Sequence, residues 1–107
     1  MRNNYADKDA EAYFFDVEKD NQDAAVLTVA GDQDQFWVID WVSVSTRSGD
    51  HLEVSFGGDI KYKAEFGSAD FHHIEFTRPL YGEKGEQMVV TLSGSGSGKR
   101  HLNVRYR

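Results

Sequence analysis

Cysteine is absent from the 107 residues. That absence removes a disulfide framework, a thiolate zinc site, an iron–sulfur cluster and a cysteine nucleophile together. No stretch approaches the roughly 20 apolar residues of a membrane-spanning helix. The amino-terminal Met1-Arg2-Asn3-Asn4-Tyr5-Ala6-Asp7-Lys8-Asp9 lacks the apolar run of a secretory signal. The expectation is a soluble chain with no signal peptide and no membrane partner. Basic charge is in deficit, with 12 Lys and Arg against 18 Asp and Glu and a net charge of −6. Such a balance repels a phosphate backbone, whose neutralisation by Lys and Arg supplies most non-specific affinity, so nucleic acid is not an expected partner. Lys99, Arg100, Arg105 and Arg107 near the carboxyl end form a local basic cluster, read as a solvated strand edge. Proline occurs once, at Pro79, between two expected strands, where a missing amide donor does a sheet no damage.

What the chain does have is period-two alternation, the mark of half-buried strands whose successive side chains point to opposite faces. Leu52, Val54 and Phe56 alternate with His51, Glu53 and Ser55, and Ile60, Tyr62, Ala64 and Phe66 with Asp59, Lys61, Lys63 and Glu65. Gly57-Gly58 between them predicts a two-residue hairpin, because paired glycines supply the positive φ of primed turns. Further strands are expected near 12–18, 24–30 and 71–77, the last with Ile74 and Phe76 inward. Residues 88–93 and 102–106 are expected to form a final hairpin around the flexible Gly94-Ser95-Gly96-Ser97-Gly98 tract. Between Phe36 and Thr46, Trp37, Ile39 and Trp41 lie on one face and Val38, Val42 and Val44 on the other. Either a β-bulge near Asp40-Trp41 gathers the apolar groups from Ile39 to Val44 on one side, or the strand is buried on both faces. About eight antiparallel strands and no amphipathic helix predict an all-β domain spanning 1–107, a jelly-roll β-sandwich of two Greek keys. Residues 1–34 carry nine acidic and three basic side chains, and 1–11 are expected to be a flexible acidic arm.

No constellation carries catalysis. His72 and His73 are adjacent on a strand and face opposite sides, while His51 and His101 fall on separate strands, so solvated histidines are the default over a metal site. Asp32-Gln33-Asp34 and Asp20-Asn21-Gln22-Asp23 offer oxygen ligands without the twelve-residue calcium loop that such ligands belong to. Asp32 and Asp34 are thus weak calcium candidates, and no cofactor is expected. Gly94 to Lys99 differs from a phosphate-binding loop: Arg100 stands where Ser or Thr should follow the lysine, and a strand follows where a helix should. The 13% aromatic content with two tryptophans exceeds what a small sandwich needs inside. Trp37, Trp41 and Tyr81 are candidates for a subunit interface or a sugar-stacking platform, and Arg78 and Arg100 for charged contacts at its rim.

The order of Trp37-Val38-Ile39-Asp40-Trp41-Val42-Ser43-Val44-Ser45, Phe76-Thr77-Arg78-Pro79-Leu80-Tyr81-Gly82, Met88-Val89-Val90-Thr91-Leu92-Ser93 and Gly98-Lys99-Arg100-His101-Leu102-Asn103-Val104-Arg105-Tyr106-Arg107 resembles small virion-associated proteins of tailed bacteriophages and prophages. The resemblance covers roughly residues 36–107 and is one of pattern. It implies a non-enzymatic jelly-roll protein of a capsid or tail assembly, self-associating as a homotrimer and meeting other virion proteins. Its place would be the virion, or the host cytoplasm before assembly. The alternative class is a carbohydrate-binding β-sandwich module that uses surface aromatics, with or without calcium.

Overall fold

The computed structural model describes residues 12–20, 23–95 and 99–107. The expected arm over 1–11 lies outside them. Eight strands succeed one another: β1 (Tyr13–Lys19), β2 (Ala25–Val29), β3 (Val38–Ser45), β4 (His51–Phe56), β5 (Asp59–Glu65), β6 (Phe71–Tyr81), β7 (Met88–Ser93) and β8 (Arg100–Tyr106). Sheet A has the order β1-β8-β3-β6 and sheet B the order β2-β7-β4-β5, all neighbours antiparallel. That order is a jelly roll, the expected fold class. No helix among the described residues is long and apolar enough to cross a membrane.

Alternation puts the core where the sequence places it except at Ile60, which a register shift between β4 and β5 sets opposite outward Ser55 and leaves 53% exposed. Val42, Val44, Leu102 and Val104 from sheet A meet Leu27, Leu52, Val54, Phe56, Met88, Val90 and Leu92 from sheet B in one buried cluster. The β4–β5 turn has Gly57 at φ 58° and Gly58 at φ 91°, the two positive values that the paired glycines predict. The final hairpin is not formed. β7 lies between β2 and β4, and β8 between β1 and β3, so the connection from Ser93 to Arg100 crosses from one sheet to the other. Period-two patterning tells which side chains point inward and carries nothing about which strand lies alongside. The centre of the Gly/Ser tract, 96–98, lies outside the described residues.

The β3 ambiguity resolves as a bulge. The register against both β6 and β8 shifts between Ile39 and Trp41. The extra residue, Asp40, puts Ile39, Val42 and Val44 together in the core and turns Trp41 to the outer face with Ser43. Opposite Asp40, the β6 residues Phe76 to Pro79, between paired Glu75 and Leu80, have no β3 partner. Pro79 therefore sits inside β6, in a stretch of an edge strand that owes no ladder hydrogen bond.

Arg100 is not at a rim. Its guanidinium is fully buried, because β8 alternation gives Arg100 the same inward parity as Leu102 and Val104. Nε and Nη2 donate to the two oxygens of the equally buried Asp50 carboxylate at 3.2 and 2.8 Å, and Nη1 donates to the Asp23 carbonyl at 2.7 Å. The Arg47 amide donates to the same carboxylate at 2.8 Å. A side chain at Gly94 would place its Cβ 2.2 Å from Asp50 Oδ1, so glycine is required there. The pair joins the start of β8 in sheet A to the residue preceding β4 in sheet B. Removing one partner strands a buried charge, whereas removing both does not. Arg100→Leu is expected to lose about 3–5 kcal/mol in urea unfolding, and Arg100→Leu combined with Asp50→Leu to lose less than either single change.

Candidate functional site

The outward side chains of sheet A fall into rows that cross all four strands. One row holds Phe14, Arg105, Trp41 and Glu75, the next Asp16, Asn103, Ser43 and His73, and the third Glu18, His101, Ser45 and Phe71. Aromatic groups run across these rows. Phe14 lies 6.3 Å from Trp41, and Trp41 lies 5.2 Å from His73. Phe71 follows on the same face of β6, two residues before His73. Phe14 is 66% exposed and Phe71 63%, so this strip ends in bare rings at opposite edges of the sheet.

The charged groups around the strip are engaged with one another. His101 pairs with the Asp16 carboxylate, His73 Nε2 lies 3.3 Å from Glu75 Oε1, and Lys99 lies 3.7 Å from Glu18. Arg105 lies 3.3 Å from Asp40 and 6.0 Å from the Phe14 ring centroid. Arg107 also donates to Asp40, through Nε and Nη2 at 3.0 Å each. Ser43 Oγ and His73 Nδ1 share a hydrogen bond of 2.5 Å, which completes a Ser43–His73–Glu75 line. That line has the order of a hydrolytic relay. Ser43, however, sits on a central strand paired on both sides, where backbone amides lie in the sheet plane and are committed to the ladders. Amides committed to the ladders are not free to form the oxyanion pocket such chemistry requires, and the line holds the imidazole beside Trp41. The outer face of sheet B differs. It presents Val26, Thr91, Glu53 and Lys63 in one row, with His51 hydrogen-bonded to Ser93 at 3.2 Å and, among the described residues, no Phe, Tyr or Trp.

A second feature lies where the β5 and β6 edges face each other. The unpaired stretch of β6, the start of β5 and the loop after Tyr81 enclose a cleft of about 550 Å³ whose walls include Asp59, Lys61, Arg78, Tyr81 and Glu83. The Tyr81 ring is half exposed and stands 5.9 Å from Phe36. Glu86 Oε1 accepts from the Glu83 amide at 2.7 Å, and the Gly82 and Gly85 amides donate to the Trp37 and Asp32 carbonyls at 3.3 and 2.9 Å. These bonds tie the loop floor at several points.

The residues singled out from sequence thus separate. Trp41 lies on the aromatic face, and Arg78 and Tyr81 share the cleft. Trp37 is no platform: it is buried, donates from Nε1 to the Ala30 carbonyl at 3.0 Å, and stands edge-on to Tyr13 and Tyr106. Arg100 is interior, as described above. Asp32 caps its own turn, accepting the Asp34 amide at 2.8 Å and the Gln35 side-chain amide at 3.1 Å. Among the described residues no group of three His, Asp or Glu is placed to hold a metal ion. Phe14 and Phe71 gave no surface signal in the sequence, although the inward parity of Phe15 and Val17 marks Phe14 as outward; His73, expected to be a solvated histidine, is exposed but lies beside Trp41. Asp59, Lys61 and Glu83 gave no signal, since only the fold brings their segments together.

No family model matches the chain, and no curated protein does. Among solved structures, an insecticidal delta-endotoxin, Cry8Ea1 of Bacillus thuringiensis, is similar with a TM-score of 0.53 and 10% sequence identity. The match covers 85% of this chain and 19% of the toxin chain. At that identity the likeness is one of fold.

Two outcomes follow from the aromatic placements. Trp37→Ala is expected to cost about 3–5 kcal/mol of stability, while Trp41→Ala leaves the unfolding free energy from urea titration within about 1 kcal/mol of wild type. Burial, and next the neighbouring Tyr13, push the Tyr106 hydroxyl above its ordinary value of 10.0. The folded chain therefore holds that proton more tightly than the unfolded one, so its contribution is intact below about pH 10 and lost above it. In alkaline unfolding series, Tyr106→Phe should flatten the decline above that pH.

Proposed function

We propose that this jelly roll is a non-enzymatic structural protein of a tailed-bacteriophage or prophage particle, acting by protein–protein contact through the outer face of sheet A. The observation that supports it is the strip from Phe14 through Trp41 and His73 to Phe71, on one sheet face and missing from the other. Covering an exposed phenylalanine ring yields up to about 1.5–3 kcal/mol, and aromatic groups of this kind are enriched in the buried centres of interfaces. The charges around the strip are already paired within the chain. A partner covering them meets groups already hydrogen-bonded or paired within the chain, and the desolvation penalty is smaller than for bare ions. The same pairing leaves few side chains on this face to hold sugar hydroxyls, which favours protein contact there. The resemblance over residues 36–107 supplies the particle, with self-association as a trimer and contact to other virion proteins.

Light scattering on a sizing column tests the contact. The full chain should run as a trimer, and Phe14→Ser with Phe71→Ser should weaken association at least tenfold, on the order of 1.4 kcal/mol or more, with an unchanged circular dichroism spectrum. A wild-type chain that stays monomeric at every concentration, or an oligomer indifferent to both substitutions, would overturn this role for the face.

A further inference from the structure

The cleft between the β5 and β6 edges has the opposite electrostatic character from the sheet A face. Among the described residues, the side chains of Asp59, Lys61, Arg78 and Glu83 take part in no ion pair, although all four line one concavity. Lys61 and Arg78 can only donate hydrogen bonds, and ionised Asp59 and Glu83 can only accept them. An anionic ligand satisfies the first pair and is repelled by the second; a metal ion does the reverse. A hydroxyl group donates and accepts at once, so a ligand bearing neighbouring hydroxyls satisfies both.

We infer that this cleft is a carbohydrate site that takes a neutral pyranose unit, a binding function beyond the assembly role and independent of it. Arg78 and Lys61 donate to sugar oxygens while Asp59 and Glu83 accept from sugar hydroxyls. The half-exposed Tyr81 ring, braced by Phe36, offers a flat apolar surface for the C–H face of the ring. At about 550 Å³ the cleft falls within the roughly 300–1,000 Å³ of small-ligand sites, and the tied loop from Gly82 to Glu86 limits the ordering that binding has to impose. The cleft opens at the side of the sandwich, on the β5 flank. Several copies in one assembly would present several clefts together and convert weak single-site affinity into avidity.

The test is a ¹H–¹⁵N NMR titration of the full chain with glucose, galactose, mannose, N-acetylglucosamine, maltose, lactose and chitobiose, each to about 50 mM, sufficient to see a millimolar site. Shifts are expected with at least one sugar and confined to residues around Lys61, Arg78, Tyr81 and Glu83. Arg78→Ala and Tyr81→Ala should weaken them at least tenfold, Tyr81→Phe should retain them within about threefold because stacking survives, and Trp41→Ala should leave them unchanged. The spectrum itself reports whether each variant is folded, and Arg78, exposed at the rim, keeps the test available should Tyr81→Ala unfold. No shift with any of the seven sugars, persistence of the shifts in Arg78→Ala, or dependence on Trp41 would overturn the assignment. Tighter binding of glucuronate than of glucose would overturn the neutral-sugar part. Because the assembly role is read from oligomeric mass in Phe14 and Phe71 variants, either reading can fail without the other.

Discussion

The bulge at Asp40 is the constraint on which both surface features depend. One extra residue in β3 lets Ile39, Val42 and Val44 reach the core from a segment whose plain alternation would divide them between two faces. It also turns Trp41 outward, and without that the rings of Phe14 and His73 would have no central partner. On the other side of the same break, β6 from Phe76 to Pro79 loses its β3 partner and carries Arg78 to the cleft wall. The bulged residue is itself an anchor: Asp40 receives Arg107 through two hydrogen bonds and lies close to Arg105. Bulges commonly re-aim side chains near functional sites. Here a single one organises an aromatic face and a polar concavity that lie on different sides of the sandwich.

Charge is distributed in three distinct ways around this scaffold. At Asp50 and Arg100 a pair is wholly buried and supplemented by the Asp23 carbonyl and the Arg47 amide, so the guanidinium and the carboxylate both find geometry adequate to offset desolvation. On the sheet A face the contacts of Asp16, Glu18 and Glu75 are exposed and each contributes little to stability, whereas Asp40 and Arg107 are largely covered; all of them leave the aromatic strip bordered by groups already engaged within the chain. In the cleft the charges of both signs converge without pairing. All four of these side chains are exposed to solvent around the concavity, so their lack of ion pairs costs the fold little. Their mixture of donors and acceptors is what the proposed sugar site would use.

Much of the architecture is legible in the alternation of residues. The eight strands, the Gly57-Gly58 turn and the inward set from Leu52 to Phe56 follow from the requirement that one face of a strand be apolar. Arg100 was legible in principle, since it shares parity with Leu102 and Val104, but a basic residue invites a surface assignment unless a buried partner is known. That partner, Asp50, lies fifty residues away. Pairing is equally invisible: β7 and β8 read as a hairpin because they adjoin in sequence, yet the jelly roll sends them to different sheets. The two tryptophans show the limit most clearly. Both are flat, large and four residues apart, and the bulge between them sends Trp37 to the interior beside Tyr106 and Trp41 to the outer face.

The likeness to part of an insecticidal toxin at 10% identity shows how little a jelly roll commits a chain to any activity. What distinguishes chains of this fold is the dressing of their sheet faces and edges, which the core does not determine. Sheets A and B both turn apolar side chains inward, Ile39, Val42 and Leu102 from one and Leu52, Phe56 and Met88 from the other, while their exteriors differ in aromatic content and in the way charges pair. An exterior aromatic strip is a liability for a solitary domain, because large exposed apolar patches promote association. The strip lies on one face only, while the outer face of sheet B carries aliphatic groups such as Val26 and Ile60 and, among the described residues, no aromatic ring; a one-sided aromatic strip is what the proposed contact would use. A cleft on the flank is left accessible by such a contact. The proposed contact and the proposed ligand cleft are therefore geometrically compatible, since the one uses the outer face of sheet A and the other the β5–β6 flank.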